Sequence, residues 1–279
     1  MSNFVTRTIS GAVFVTVIVG AILLHPYAYA GVMVVVVVWA MLEFHDVIIK
    51  DGIFTGKYFG ALLGVTLFAL SFFYAQGLIA GKWFLLFIPL LTFLFINQLY
   101  SKSQHSFHII ALTLTGVIYI ALPFAFCNGL VFPSGDGGFL NPGNKYVPGI
   151  LLGFFILLWT NDTFAYLTGI MFGKHRLFER ISPKKSWEGF FGGLTGTVAL
   201  SLLIARIFPI LPFYHWMAVA AIIVVFGVYG DLIESLLKRN LNIKDSGHFL
   251  PGHGGILDRF DSVLLAAPMV FFYLKLLVF

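Results

Sequence analysis

The chain has 279 residues, of which 59% are hydrophobic and 10% charged, and its mean hydropathy is +0.95. A water-soluble domain carries about a quarter charged residues because its surface must face water, so this composition excludes one and calls for a bilayer. The single cysteine, Cys127, excludes an intrachain disulfide and reads as a small buried hydrophobe.

A membrane-spanning helix needs about 20 mostly apolar residues. Cutting the sequence at Pro, Gly, Asn and charge clusters predicts an all-α, polytopic membrane protein with nine spans, at 8–24, 29–48, 57–75, 83–99, 106–126, 146–172, 188–209, 214–238 and 256–278. The first run is followed by many others without a small-residue cleavage site between them, so it reads as a retained span and not a signal peptide. The sixth is long and contains Gly153 and Gly169, which predicts tilt or a break. With no repeat, linker or low-complexity segment, 1–279 reads as one membrane domain: an apolar helical half, 1–145, and a half carrying the polar motifs, 146–279.

Nine spans place the termini on opposite sides. With the N-terminus inside, Arg7, Lys50, Lys57, Lys102, Lys174, Arg176, Arg180, Lys184, Lys185, Lys238, Arg239, Lys244 and Arg259 are cytoplasmic. Only Lys82, Lys145, Arg206 and Lys275 of the 17 basic residues face out. That asymmetry follows the positive-inside rule and predicts a cytoplasmic N-terminus. It also accounts for the pI of 9.3 and net charge of +5 without a nucleic-acid partner.

Three polar clusters interrupt the apolar runs. The first, Glu43, His45 and Asp46, closes the second span and is expected to be an interfacial, solvated end. The second runs from Asn161 to Gly189. Asn161 and Asp162 precede Lys174 by about 12 residues, which puts them well inside the bilayer at about 1.5 Å per residue, and an intramembrane carboxylate reads as functional. Lys184, Lys185 and Ser186 follow in a segment whose Ser, Pro and Gly residues predict a shaped loop; anchoring of the cytoplasmic side would also place lysines there.

The third and richest cluster runs from Gly230 to Ser262. Asp231, Ser235 and Lys238 are spaced i, i+4, i+7 and share one helix face. Asp231 lies about 10 Å along the axis from Lys238, at hydrocarbon depth, where a carboxylate needs a wet cavity or a cation. Asp258 and Asp261, spaced i, i+3, share a face at the start of the last span. Alone they would also complement the helix dipole, but with Asp231 they offer three carboxylates to one point. Hard cations such as Mg2+ take oxygen ligands of this kind, commonly one or two carboxylates plus phosphates. His253, Gly254 and Gly255 form a glycine-rich turn where backbone N–H groups can approach an anion. Lys238, Arg239, Lys244 and Arg259 add positive charge for phosphate oxygens. The set suits phosphoryl or nucleotidyl transfer with Mg2+.

Ser235-x-x-Lys238-Arg239, Lys244-Asp245, Pro251-x-His253-Gly254-Gly255 and Asp258-Arg259-x-Asp261 together resemble the signature of the phosphatidate cytidylyltransferases, also called CDP-diacylglycerol synthases. The segments 161–175 and 182–189 are similar to that family too, with Ser186 standing where Thr is common. The motif-bearing resemblance covers roughly the last 120 residues. It implies CTP and phosphatidate as substrates, CDP-diacylglycerol and pyrophosphate as products, Mg2+ as cofactor, and a homodimer in the cytoplasmic (inner) membrane with its polar cavity facing the cytoplasm. It further implies Asp231 and Asp258 as metal ligands with Asp261 close by, and Ser235 and Lys238 as substrate contacts. A phosphatidate phosphate is already an anionic nucleophile, so the site needs charge neutralisation and in-line placement more than a strong base. Two other readings share some of these features: a secondary transporter of an anionic metabolite, and a CTP-dependent lipid kinase.

Overall fold

The computed structural model describes residues 3–48, 54–101, 105–133, 145–243, 246–247 and 254–279. Hydrocarbon offers no partner to backbone N–H and C=O groups, so apolar runs of this length close their hydrogen bonds internally as helices. The helices are α1 (Asn3–Leu24), α2 (Pro26–Ile48), α3 (Phe54–Ala75), α4 (Phe87–Leu99), α5 (Ser106–Gly116), α6 (Leu122–Val131), α7 (Gly149–Phe172), α8 (Trp187–Ile207), α9 (Phe213–Asn240) and α10 (Leu257–Leu277). A 3-10 turn, Gly81–Leu86, leads into α4, and a π turn, Val117–Ala121, joins α5 to α6. Pro123 cannot offer an N–H to the residue 119 carbonyl, and the helix widens there instead of stopping.

Counted as continuous rods, eight helical segments among the described residues are long and apolar enough to cross a membrane, and Ile9–Leu24 of α1 is a shorter apolar helix. The protein is a polytopic helical membrane protein, as its composition requires. Large apolar side chains such as Val13, Leu62 and Ile170 point outward at 50% exposure or more, where lipid rather than water would cover them. Two expectations are sharpened. Of the tilt or break expected for the sixth span, the break is absent: one helix runs from Gly149 to Phe172, and Gly153 serves close packing, since a Cβ there would lie 2.4 Å from the Trp216 ring. The segment after it, expected as a shaped loop, is a short antiparallel hairpin, β1 (Arg176–Phe178) and β2 (Ser182–Ser186), with Arg176 opposite Ser186 and Phe178 opposite Ser182.

The chain forms two compact units. The first comprises Met1–Tyr146 and Asp245–Arg259. Its core is Ile22, Tyr29, Met33, Val37, Phe68 and Phe72, all buried. Asn128 knits it together: it accepts from Tyr29 Oη at 3.0 Å and donates to Ser71 Oγ at 2.7 Å and the Phe68 carbonyl at 3.2 Å. Such polar pairs between apolar helices contribute about 1 kcal/mol each.

The second unit comprises Val147–Lys244 and Phe260–Phe279. Here α7 packs on α8 along a seam of small residues. A Cβ at Gly192 would lie 2.1 Å from Thr168 Oγ1, and one at Gly193 2.5 Å from Asn161 Oδ1. Only glycine allows the two backbones this close. Behind the seam, Trp216 is fully buried and donates through Nε1 to the Phe208 carbonyl at 3.2 Å.

Candidate functional site

Four charged groups of the second unit gather around the middle of α9. Asp231 sits one residue after Gly230, where α9 and α10 meet backbone to backbone: a Cβ at Gly230 would lie 2.4 Å from the Asp261 carbonyl oxygen. The crossing therefore brings Asp231 and Asp261 side by side, and each lies in the field of the other. Lys185, delivered by β2, forms an ion pair with Asp231 Oδ2 at 2.6 Å. Ser235, one turn further along α9, donates to Asp231 Oδ1 at 3.2 Å. Asp162, from the middle of α7, interacts electrostatically with both Asp231 and Lys185. The cluster is open: the Asp231 and Lys185 side chains keep 34% and 26% of their exposure, and Asp162 is exposed. Charged groups on spanning helices are tolerated where water or a polar ligand reaches them.

The hairpin explains how a lysine from the loop after α7 reaches α9. Along β2, Lys184 is exposed, Lys185 is half-buried and Ser186 is buried. Ser186 is the N-cap of α8, its hydroxyl accepting the Gly189 N–H at 3.1 Å. A serine there satisfies an orphan amide of the first helical turn, so Ser186 fixes the hairpin-to-helix junction. Glu188 holds the other strand by accepting from His175 Nδ1 at 2.7 Å and His175 N–H at 3.2 Å. Lys174 and Arg239 are exposed at the ends of their helices. Asn161 is buried, next to the seam at Gly193.

Lys238 pairs with Glu234 at 2.5 Å along α9, and Glu234 has no exposed surface. Sequence reasoning passed over Glu234. Its signal was present, since an acidic residue three positions after Asp231 and four before Lys238 lies at hydrocarbon depth on an adjoining helix stripe.

In the first unit, Asp258 and Gly255 shape the entry to α10. Asp258 Oδ2 accepts the Gly255 N–H at 2.9 Å and the Ser246 N–H at 3.1 Å. Gly254 has φ +79°, a backbone conformation that favours glycine, and Arg259 is exposed. The expected roles of Lys244, Asp245 and His253 fall outside the described residues. The expectation for Glu43, His45 and Asp46 is corrected in part. Asp46 is exposed and pairs with Lys57, as an interfacial group does. Glu43 and His45 are buried, at 8% and 1% exposure, because Glu43 serves as an acceptor for distant backbone and His45 bonds the Met41 carbonyl through Nδ1 at 2.7 Å.

Apolar helices long enough to span a membrane, with three carboxylates and a lysine gathered around α9, define a polytopic membrane protein with a polar site among its helices. Within that class, the chain belongs to the cytidylyltransferase family, whose sequence model matches residues 5–277. It is 44% identical over 126 residues to the phosphatidate cytidylyltransferase of Bacillus subtilis (strain 168), covering 43% of this chain and 45% of that protein. It is 38% identical over 172 residues to that of Staphylococcus epidermidis (strain ATCC 12228 / FDA PCI 1200), and 39% over 171 residues to that of Staphylococcus aureus (strain COL). Each of those two alignments covers 61% of both chains, so the matched segments span between about half and three fifths of the curated relatives' length.

Proposed function

We propose that this protein is a phosphatidate cytidylyltransferase. A phosphate oxygen of phosphatidate attacks the α-phosphorus of CTP, the bond between the α- and β-phosphates breaks, and CDP-diacylglycerol and pyrophosphate leave. The observation that carries this reading is the open cluster of Asp162, Asp231, Asp261 and Lys185 beside α9, in a chain whose relatives carry that name. A lipid substrate arrives sideways from the bilayer while a nucleotide arrives from water, and an accessible polar site among spanning helices suits both.

Two polyanions must meet, so the first demand on the protein is relief of charge repulsion. Lys185 is poised to move from Asp231 to a phosphate oxygen, and exposed Lys174, Lys184 and Arg239 extend the positive field. Ser235 orients the Asp231 carboxylate through its hydroxyl. Asp231 and Asp261 would hold Mg2+; Asp258, which the signature also implies as a ligand, belongs to the first unit. Among the described residues no three His, Cys, Asp or Glu form a closed cage for a metal, and a pair of carboxylates completed by substrate phosphates is the usual arrangement for Mg2+. When bound, the ion would neutralise phosphate charge and favour in-line displacement.

The same reading places the protein in a bacterial inner membrane as a homodimer, with its N-terminus and site on the cytoplasmic side. The test is to incubate purified protein with CTP, Mg2+ and phosphatidate. Formation of CDP-diacylglycerol and pyrophosphate, lost on chelation, is expected. Transfer of the γ-phosphate to lipid would instead establish a kinase, and uptake of an anionic metabolite into proteoliposomes without product would establish a transporter.

A further inference from the structure

The entry to α10 is gripped by a residue more than 200 positions away in the chain. Glu43, near the inner end of α2, accepts the Ile256 N–H at Oε1 and the Leu257 N–H at Oε2, both at 3.0 Å, while Ser246 Oγ donates to Oε2 at 3.4 Å. The first N–H groups of a helix have no partner within it, and a carboxylate is the favoured acceptor there because the helix dipole attracts negative charge. Normally a local side chain supplies that cap. Here α2 supplies it, and the fit is close. A Cβ on Gly255 would lie 2.4 Å from Glu43 Oε2 and 2.3 Å from Ser246 Oγ, and one on Gly247 would lie 2.6 Å from Glu43 Oε1.

Asp258 closes the same turn from the opposite side, through Gly255 and Ser246. Ser246 is thus shared: its hydroxyl goes to Glu43 and its amide to Asp258. Leu257, which donates to Glu43, immediately precedes Asp258, and Asp261 follows one turn later on the same helix. An interfacial glutamate would turn to water. This one is buried and spends both oxygens on two successive amides, which fixes where α10 starts and how it is rotated about its axis.

We infer that Glu43 is a positioning residue for the reaction: by capping α10 from α2 it sets the direction in which the α10 carboxylates point. The inference rests on the cytidylyltransferase reading, in which those carboxylates serve catalysis. Gln is the same size as Glu but keeps only one accepting oxygen, and its NH2 would face an amide N–H. In the full-length Glu43→Gln protein, hydrogen–deuterium exchange at Ile256 and Leu257 should accelerate about tenfold or more, the mark of a lost amide acceptor. The kcat for CDP-diacylglycerol should fall about 10- to 100-fold, the size expected for misplacing a reacting group by about 1 Å, with the KM for CTP nearly unchanged. Glu43→Asp, which restores the charge at shorter reach, should recover part of kcat.

Unchanged exchange at Ile256 and Leu257 would overturn the cap itself. Faster exchange with wild-type kcat per folded molecule would make Glu43 merely structural and overturn the positioning role. Should Glu43→Gln fail to fold, Gly255→Ala presses on Oε2 from the loop side and must give the same pairing of faster exchange with lower kcat. Absence of CDP-diacylglycerol synthesis by the wild type would defeat the functional reading alone, since exchange still reports on the cap.

Discussion

Replacing Gly230 with alanine probes whether the α9–α10 crossing places the two carboxylates. The added Cβ would lie 2.4 Å from the Asp261 carbonyl oxygen and 3.1 Å from Ser262 Cα. Both neighbours are backbone, so no rotamer change relieves the clash. Regaining a van der Waals separation of about 3.5 Å requires the helices to part by about 1 Å at this point. Overpacking of that kind costs about 1–3 kcal/mol of stability. Displacement of a positioned group by about 1 Å costs about 100-fold in rate, so kcat/KM should fall further than stability alone explains. Gly227→Ala is the control: its Cβ would meet Ser262 Cβ at 3.6 Å, an ordinary contact. In a helix interior, alanine there should be neutral or stabilising by up to about 1 kcal/mol. Thermal unfolding in detergent, followed by tryptophan fluorescence, measures stability, and CDP-diacylglycerol formation from labelled CTP measures rate. Gly230→Ala with kcat/KM within about twofold of wild type, or Gly227→Ala equally damaged, would refute the reasoning.

Three further outcomes are expected. Asp231→Asn and Asp258→Asn should each abolish turnover while leaving the protein folded and inserted, and Asp261→Asn should be severe; Mg2+ titrations of activity for each variant check this, and wild-type profiles for Asp231→Asn and Asp258→Asn would rule out a carboxylate-held metal. Lys185→Gln should lower kcat/KM about tenfold or more and Lys184→Gln by less, because only Lys185 reaches Asp231; equal effects, measured with two Lys added elsewhere on the cytoplasmic side, would return both to topology anchoring. In a Cys127→Ser background, cysteine placed at Lys184 should be labelled only from the cytoplasm and at Lys145 only from outside, and the reverse pattern would invert the proposed orientation.

Much of the fold was legible because a bilayer makes composition decisive. Hydrocarbon penalises every open backbone group, so each apolar run had to become a helix, and each of the nine predicted spans corresponds to one helical rod. Exact ends were less legible. The fifth span runs on to Val131 because a π turn absorbs Pro123, and nothing in local propensity announces that. The hairpin was missed as a hairpin because the periodicity of Ser182–Ser186 is too short to register, although its Ser, Pro and Gly residues announced a shaped segment.

For the site, depth alone marked Asp162 and Asp231, since a carboxylate far from both membrane faces needs a reason to be there. The spacing of Asp258 and Asp261 put them on one helix face whatever the packing. Helical periodicity is a local property and reads directly from residue numbers. Which groups meet across helices is not local. The pairing of Lys185 with Asp231 depends on a strand that carries the lysine inward, and the closeness of Asp231 to Asp261 depends on a glycine that lets two backbones touch. Glu43 shows the difference most sharply. In sequence it ends an apolar run beside His45 and Asp46, where interfacial water is the expected partner. Its actual partners are amides at Ile256 and Leu257, brought to it only by tertiary packing. A backbone amide is identical at every residue but proline, so no side-chain pattern could have marked those two as the ones Glu43 would find.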